Sequence, residues 1–101
     1  MTWQAVASVD DLKARGKLCV NVAGLGLLLV WQEEQIYAVE NRCSHASKPL
    51  DQGKVERGVI RCPYHGATFD LETGKPLSPP AFKGIRCFHT RISGNIIEAD
   101  I

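Results

Sequence analysis

The chain has 101 residues, 45% hydrophobic and 23% charged, with a formal net charge of +1. That length suits one domain around a single core, and the composition is that of an ordinary globular protein. With neither a basic excess nor an acidic block, nothing points to nucleic-acid binding or a charged tail.

Met1-Thr2-Trp3-Gln4 lacks the charged start and apolar core of a signal peptide. Trp3 to Ala7 reads as a first strand. Ser8 to Lys13 is expected to form a single helical turn, with Ser8 as N-cap and Asp11 at the capping-box position. Cys19-Val20-Asn21-Val22 alternates as a strand does, and Leu27 to Trp31 is a short apolar strand. The apolar run from Val22 to Trp31 carries Gly24 and Gly26 and is about half the length of a bilayer-spanning helix. These features predict a soluble, cytoplasmic protein with no membrane partner. Gln32 to Gln35 supplies a polar turn, and Ile36 to Val39 returns as the partner strand. Val59-Ile60-Arg61 forms a strand between two loops, and Gly74 ends a turn that begins at Asp70. Pro76, Pro79 and Pro80 mark an irregular stretch that cannot be a central strand. Ile85 to Ile92 and Ile96 to Ala99 close the chain as a hairpin around Ser93-Gly94-Asn95.

Many short strands with almost no helical periodicity predict an all-β sandwich or barrel spanning residues 1–101 as one domain. Trp3 and Trp31 are expected at the core or its edge, and His89 on a surface or half-buried strand position. Cys19 and Cys87 lie in strand-like stretches without paired spacing, so they are read as buried small hydrophobes.

The chemistry concentrates in two segments, Cys43-Ser44-His45 and Cys62-Pro63-Tyr64-His65-Gly66. Each donates one Cys and one His, the ligand set of a 2Fe–2S centre in which two thiolates hold one iron and two imidazoles the other. Pro63 stiffens the second loop and Gly66 lets it turn tightly. A structural zinc site is the alternative for two Cys and two His, but zinc motifs usually keep Cys with Cys and His with His.

From Cys43 to Asp70 the chain resembles the Rieske family, C-x-H … L-x-x-G … C-P-Y-H-G-x-x-F-D. The resemblance implies a β-sandwich with a small cluster-binding subdomain, its loops at about 43–50 and 62–69. Carried over residue by residue, Cys43 and Cys62 would hold the buried iron. His45 and His65 would hold the outer iron and form the electron port. Neutral imidazoles in place of thiolates make the centre less negative and easier to reduce. The Rieske range of roughly −150 to +300 mV accordingly lies above roughly −400 mV for plant-type ferredoxins. An imidazole on the iron keeps a titratable nitrogen whose pKa depends on the metal charge. The reduction potential is therefore expected to fall as pH rises through that pKa. Voltammetry showing a pH-independent potential up to strongly alkaline conditions would refute this.

Respiratory Rieske proteins carry two additional cysteines in these loops, joined as a disulfide, and Ser and Tyr hydroxyls that donate to the cluster and ligand sulfurs. Here Lys48 and Tyr64 stand in place of the cysteines, Ala67 of the Ser and Phe69 of the Tyr. Fewer donors to sulfur lower the potential, so a low-potential centre of the kind that feeds oxygenases is expected.

With His89 alone left over, no two-His-one-carboxylate iron site can be built from the remaining histidines. No dinucleotide-binding glycine fingerprint is present either. The chain is thus expected to be an electron carrier, not an enzyme. It resembles the Rieske-type ferredoxin of a multicomponent aromatic-ring-hydroxylating dioxygenase, which would pass electrons from an NAD(P)H-dependent flavin reductase to a terminal oxygenase. The resemblance implies a monomer with a partner-facing rim of Ser44, Ala46, Lys48, Pro49, Tyr64 and Pro79-Pro80-Ala81. The alternative is a permanent small Rieske subunit, as in assimilatory nitrite reductase.

Overall fold

A computed structural model describes residues 2–44, 47–64 and 66–101. The first strand, β1 (Trp3–Ser8), runs into helix α1 (Val9–Arg15). The Ser8 side chain accepts a hydrogen bond from the Asp11 amide at 3.1 Å, as the N-cap reading requires. The helix is longer than the single turn expected because Val9 and Leu12 are both buried on one face. It stops at Gly16, whose positive φ of 80° suits glycine and whose amide reaches back to Leu12 O.

Next come β2 (Lys17–Val22), β3 (Leu25–Gln32) and β4 (Gln35–Glu40), paired antiparallel in that order. Strand β8 (Cys87–Phe88) adds to β4 to complete a four-stranded sheet. The last strands, β9 (Thr90–Ser93) and β10 (Ile96–Asp100), join β1 in a three-stranded sheet of order β1-β10-β9. A third sheet holds β5 (Lys54–Glu56), β6 (Val59–Arg61) and β7 (Thr68–Asp70). The architecture is all-β as expected, and β5 and β7 are two strands beyond those expected from the sequence.

The apolar run of β3 is buried on both faces, the mark of a central strand. Leu27 and Leu29 enter one core with Val9, Leu12, Ala38, Ile97 and Ala99, between the four-stranded sheet, the helix and the first sheet. Leu28 and Val30 enter a second core with Val39, Cys43, Leu50, Ile60, Cys62, Ala67 and Phe69. The alternation along β3 therefore places the two cysteines of the motif against the opposite face of the same sheet. Gln32 at the end of β3 accepts from the Gly58 amide, and the Leu71 amide donates to Gly58 O at 2.9 Å. These bonds fix the β5–β6 turn to the central sheet.

Two expectations need correction. The strand drawn from Ile85 to Ile92 is interrupted at His89, where the chain leaves β4 and pairs instead with β10. His89 is exposed in that crossover, its carbonyl accepting from the Asp100 amide at 2.9 Å. Cys19 is exposed, not buried: the two-residue period of β2 turns Leu18, Val20 and Val22 inward and leaves Cys19 and Asn21 outside. Cys87 is half-buried beside the second core, its thiol pushed up to about 11 chiefly by burial. Trp31 packs at the edge of the first core, and half-buried Trp3 lies under the Arg91 guanidinium at 4.3 Å.

Candidate metal centre

Two loops meet at the second core, and their backbones follow one pattern. In the first, the Cys43 amide donates to Lys48 O at 2.7 Å and the Ser47 amide donates to Cys43 O at 2.8 Å. In the second, the Cys62 amide donates to Ala67 O at 2.7 Å and the Gly66 amide donates to Cys62 O at 3.0 Å. Each Cys thus accepts from the residue four positions on and donates to the residue five positions on. The fourth position has positive φ in both, 56° at Ser47 and 77° at Gly66. The second loop closes the β6–β7 hairpin, where Arg61 faces Thr68.

Cys43 and Cys62 are fully buried, at 0% and 1% exposure, and belong to the same core. The histidines expected as ligands, His45 and His65, lie outside the described residues, as does rim residue Ala46. Each histidine falls in sequence between the bonded ends of its loop. Two soft sulfur donors in one apolar core, on loops of matching geometry, suit an iron–sulfur group.

The surroundings match the low-donor character read from the sequence. Ala67 and Phe69 are both fully buried in that core and bring no hydroxyl to it. Lys48 and Tyr64, which the resemblance puts in place of a disulfide, meet across the two loops. The Lys48 ammonium lies 5.6 Å from the centre of the Tyr64 ring. A cation–π contact at such an exposed site contributes about 0.5–1 kcal/mol, far less than a covalent link.

A third segment closes the site. Leu77 donates its amide to Thr68 O at 2.8 Å, and the Thr68 amide donates to Ser78 Oγ at 3.2 Å. Ser44 Oγ donates to Lys83 O at 2.5 Å, tying the first loop to the same segment. Within the expected rim, Lys48, Pro49, Tyr64 and Pro79 are exposed and Ser44 and Pro80 half-buried. Ala81 is a correction: it is buried at 6% exposure in the second core, and its neighbour Phe82 is exposed instead, at 87%.

Sequence reasoning also missed Asn41, two residues before Cys43. Its Oδ1 accepts from the Leu50 amide at 2.7 Å, and its Nδ2 donates to Cys19 Sγ at 3.1 Å and reaches Asp51 Oδ1 at 3.4 Å. One amide thus holds both ends of the first loop. Replacing Asn41 with Ala strands the part-buried Leu50 amide and is expected to cost about 1–3 kcal/mol, read as a lowered Tm. Hydrogen bonding from Gln52, against an opposing effect of burial, holds the Asp51 carboxyl below its usual value. The stability this contributes is present above the unfolded-state value and is lost as pH falls through the lowered one. An Asn41→Ala variant as stable as the parent would show that the loop needs no such clasp.

The fold and the paired loops define a class. The Rieske [2Fe-2S] domain model matches residues 2–89, and the chain belongs to that family; the cofactor of such a domain is a 2Fe–2S cluster. The ferredoxin component of the naphthalene 1,2-dioxygenase system of Pseudomonas putida is 32% identical over 99 residues, covering 98% of this chain and 95% of that one. The ferredoxin of carbazole 1,9a-dioxygenase from Nocardioides aromaticivorans IC177 superposes with a TM-score of 0.90 at 32% identity, covering 98% and 97% of the two chains. The ferredoxin chain in a complex of reduced oxygenase and oxidized ferredoxin in carbazole 1,9a-dioxygenase has a TM-score of 0.87 at 28% identity, covering 96% and 91%. These relatives are named as ferredoxins, electron carriers and not catalysts.

Proposed function

We propose that this chain is the ferredoxin of a multicomponent ring-hydroxylating dioxygenase, with Cys43, His45, Cys62 and His65 holding one Rieske 2Fe–2S cluster. One observation carries the reading. Cys43 and Cys62 occupy equivalent positions in two loops of one hydrogen-bond pattern and are buried in one core. Near full-length similarity to ferredoxin components supports it.

When bound, the cluster takes up and releases one electron at a time. The chain's part is to keep two sulfur donors out of water, to hold both loops still and to expose a small meeting surface. Lys48, Pro49, Tyr64 and Phe82 are exposed on the segments around the site, a modest patch suited to a shuttle that leaves each partner quickly. Ala67 and Phe69 offer no hydroxyl to the sulfurs, which favours a low potential. Electrons would come from an NAD(P)H-dependent flavin reductase and pass to a terminal oxygenase, with the carrier acting as a cytoplasmic monomer. Among the described residues no helix is long and apolar enough to cross a membrane.

Reconstitution tests this directly. NADH, a flavin-dependent ferredoxin reductase and a terminal ring-hydroxylating oxygenase should turn over an aromatic substrate only when the holoprotein is added. A holoprotein that the reductase reduces but that returns no electron to any such oxygenase would contradict the assignment.

A further inference from the structure

The outer face of the small third sheet carries a charge arrangement that the cluster reading does not use. Lys54 on β5 and Arg61 on β6 are direct cross-strand partners, a placement that sets two like charges side by side at some cost. Arg57 sits at the turn of the same hairpin, and the three cations line one surface cleft with Glu56, Val59 and Thr68. Lys54, Arg57 and Arg61 are all exposed. Among the described residues the ion pairs are Arg86 with Glu40 and Arg91 with Glu98, so none of the three is neutralised that way. Glu56 is the one carboxylate lining the cleft. Asp70, opposite Val59 on β7, is occupied by the amides of Glu72 and Thr73 at 2.8 and 3.1 Å.

The cleft is joined to the proposed electron port. Arg61 precedes Cys62, and its Nη1 donates to Gly66 O at 2.9 Å, so the last cation of the row is anchored in the second loop. The Arg57 turn is fixed in turn by Gln32 and Leu71. Strand β6 carries Arg61 about 7 Å from Val59, at about 3.3 Å per residue, and Arg57 lies beyond Val59 in the turn. Two cations abreast on the strands and a third at the turn suit several spaced carboxylates better than one compact anion.

We propose that Lys54, Arg57 and Arg61 form an electrostatic docking strip for an acidic face of the protein that exchanges electrons with this chain. The proposal rests on the electron-carrier reading and adds the charge of the partner's surface to it. A net charge of only +1 gives the whole molecule little long-range pull, so a local strip beside the port would supply the orientation.

The test uses the holoprotein, reduced by dithionite and freed of excess reductant. Oxidation is followed by stopped flow with two one-electron acceptors, anionic ferricyanide and cationic hexaamminecobalt(III). The Lys54→Gln/Arg57→Gln variant spares Arg61, which holds the loop. The Lys13→Gln/Arg15→Gln variant makes the same change in net charge on α1. At about 10 mM ionic strength, where charges reach about 30 Å, the strip variant should lose about fivefold or more in the ferricyanide rate. The α1 variant should change little, and added salt should erase the difference. Anisotropy of fluorescein-labelled poly-glutamate, titrated with each protein, gives a readout independent of electron transfer. Binding should be seen with parent and α1 variant, lost in the strip variant, and not competed by phosphate at matched ionic strength. Equal losses in both variants, or competition by phosphate, would overturn the proposal in favour of net charge or a small-anion site. A protein that shows no Rieske signal on reduction fails the underlying reading instead, whereas a normal signal without charge discrimination fails the strip alone.

Discussion

Replacing Cys62 with Ser is expected to yield a protein without its iron–sulfur chromophore, whereas Cys19→Ser and Cys87→Ser retain it. The position makes the difference. Cys62 is 1% exposed in the core it shares with Cys43, and its own backbone closes the second loop through Ala67 and Gly66. A hydroxyl is a harder and more weakly acidic donor than a thiol, so it is a poor substitute at an iron–sulfur group. Cys19 is exposed on an edge strand, and Cys87 donates only to Leu71 O at 3.4 Å. Iron and sulfide assays on the parent and the three variants would therefore separate Cys62 from Cys19 and Cys87. Loss of iron in the Cys87→Ser protein, or its full retention in Cys62→Ser, would remove the assignment.

Gly74→Ala is expected to be the most damaging change outside the two paired loops. Gly74 has φ of 79°, and a Cβ there would lie 2.0 Å from Ile85 O and 3.1 Å from Cys87 Sγ. The nearer contact is with backbone, and that backbone is held, since the Ile85 amide donates to Gly74 O at 2.9 Å and the Gly74 amide donates to Asp70 O at 2.7 Å. The Ile85 carbonyl cannot swing away as the end of a side chain could. The turn joins β7 to the segment that covers the loops, so relief of the clash would shift Ile85 out of the second core. Strained backbone plus displaced packing gives an expected loss of about 3 kcal/mol or more, a Tm lower by about 12 °C or more. Gly24 is the comparison. It has φ of 82° and open space where a Cβ would go, so Gly24→Ala is expected to cost only about 1 kcal/mol. Equal effects in the two variants would show that the Ile85 contact is irrelevant.

What could be read from the chain, and what could not, follows from the range of the forces involved. The two loops were legible as a candidate site because the spacing of Cys, His, Pro and Gly is local, and the structure pairs Cys43 with Cys62 in one core. Ser8 was legible as a cap because its partner is three residues away. The Leu27–Val30 run announced a buried strand, but not that its alternate residues would serve two different cores. Strands β5 and β7 have only three residues each, too short to show a period, and they exist because β6 pairs with both. The break at His89 is set by which sheet offers a free edge, a fact of the assembled fold. Cys19 is different: its alternation with Val20 and Val22 already placed it on the polar face with Asn21. The general tendency of cysteine to be buried yields there to the local pattern. Asn41 and the Lys54–Arg61 pair acquire their roles only through register and long-range contact.

The most direct measurement is an EPR spectrum of the purified protein before and after dithionite, with iron and acid-labile sulfide determined on the same sample. A rhombic signal of low average g, absent when oxidised and present when reduced, with two irons and two sulfides per chain, is the predicted result. A colourless, EPR-silent protein holding one zinc would contradict it and leave the paired loops as a structural site.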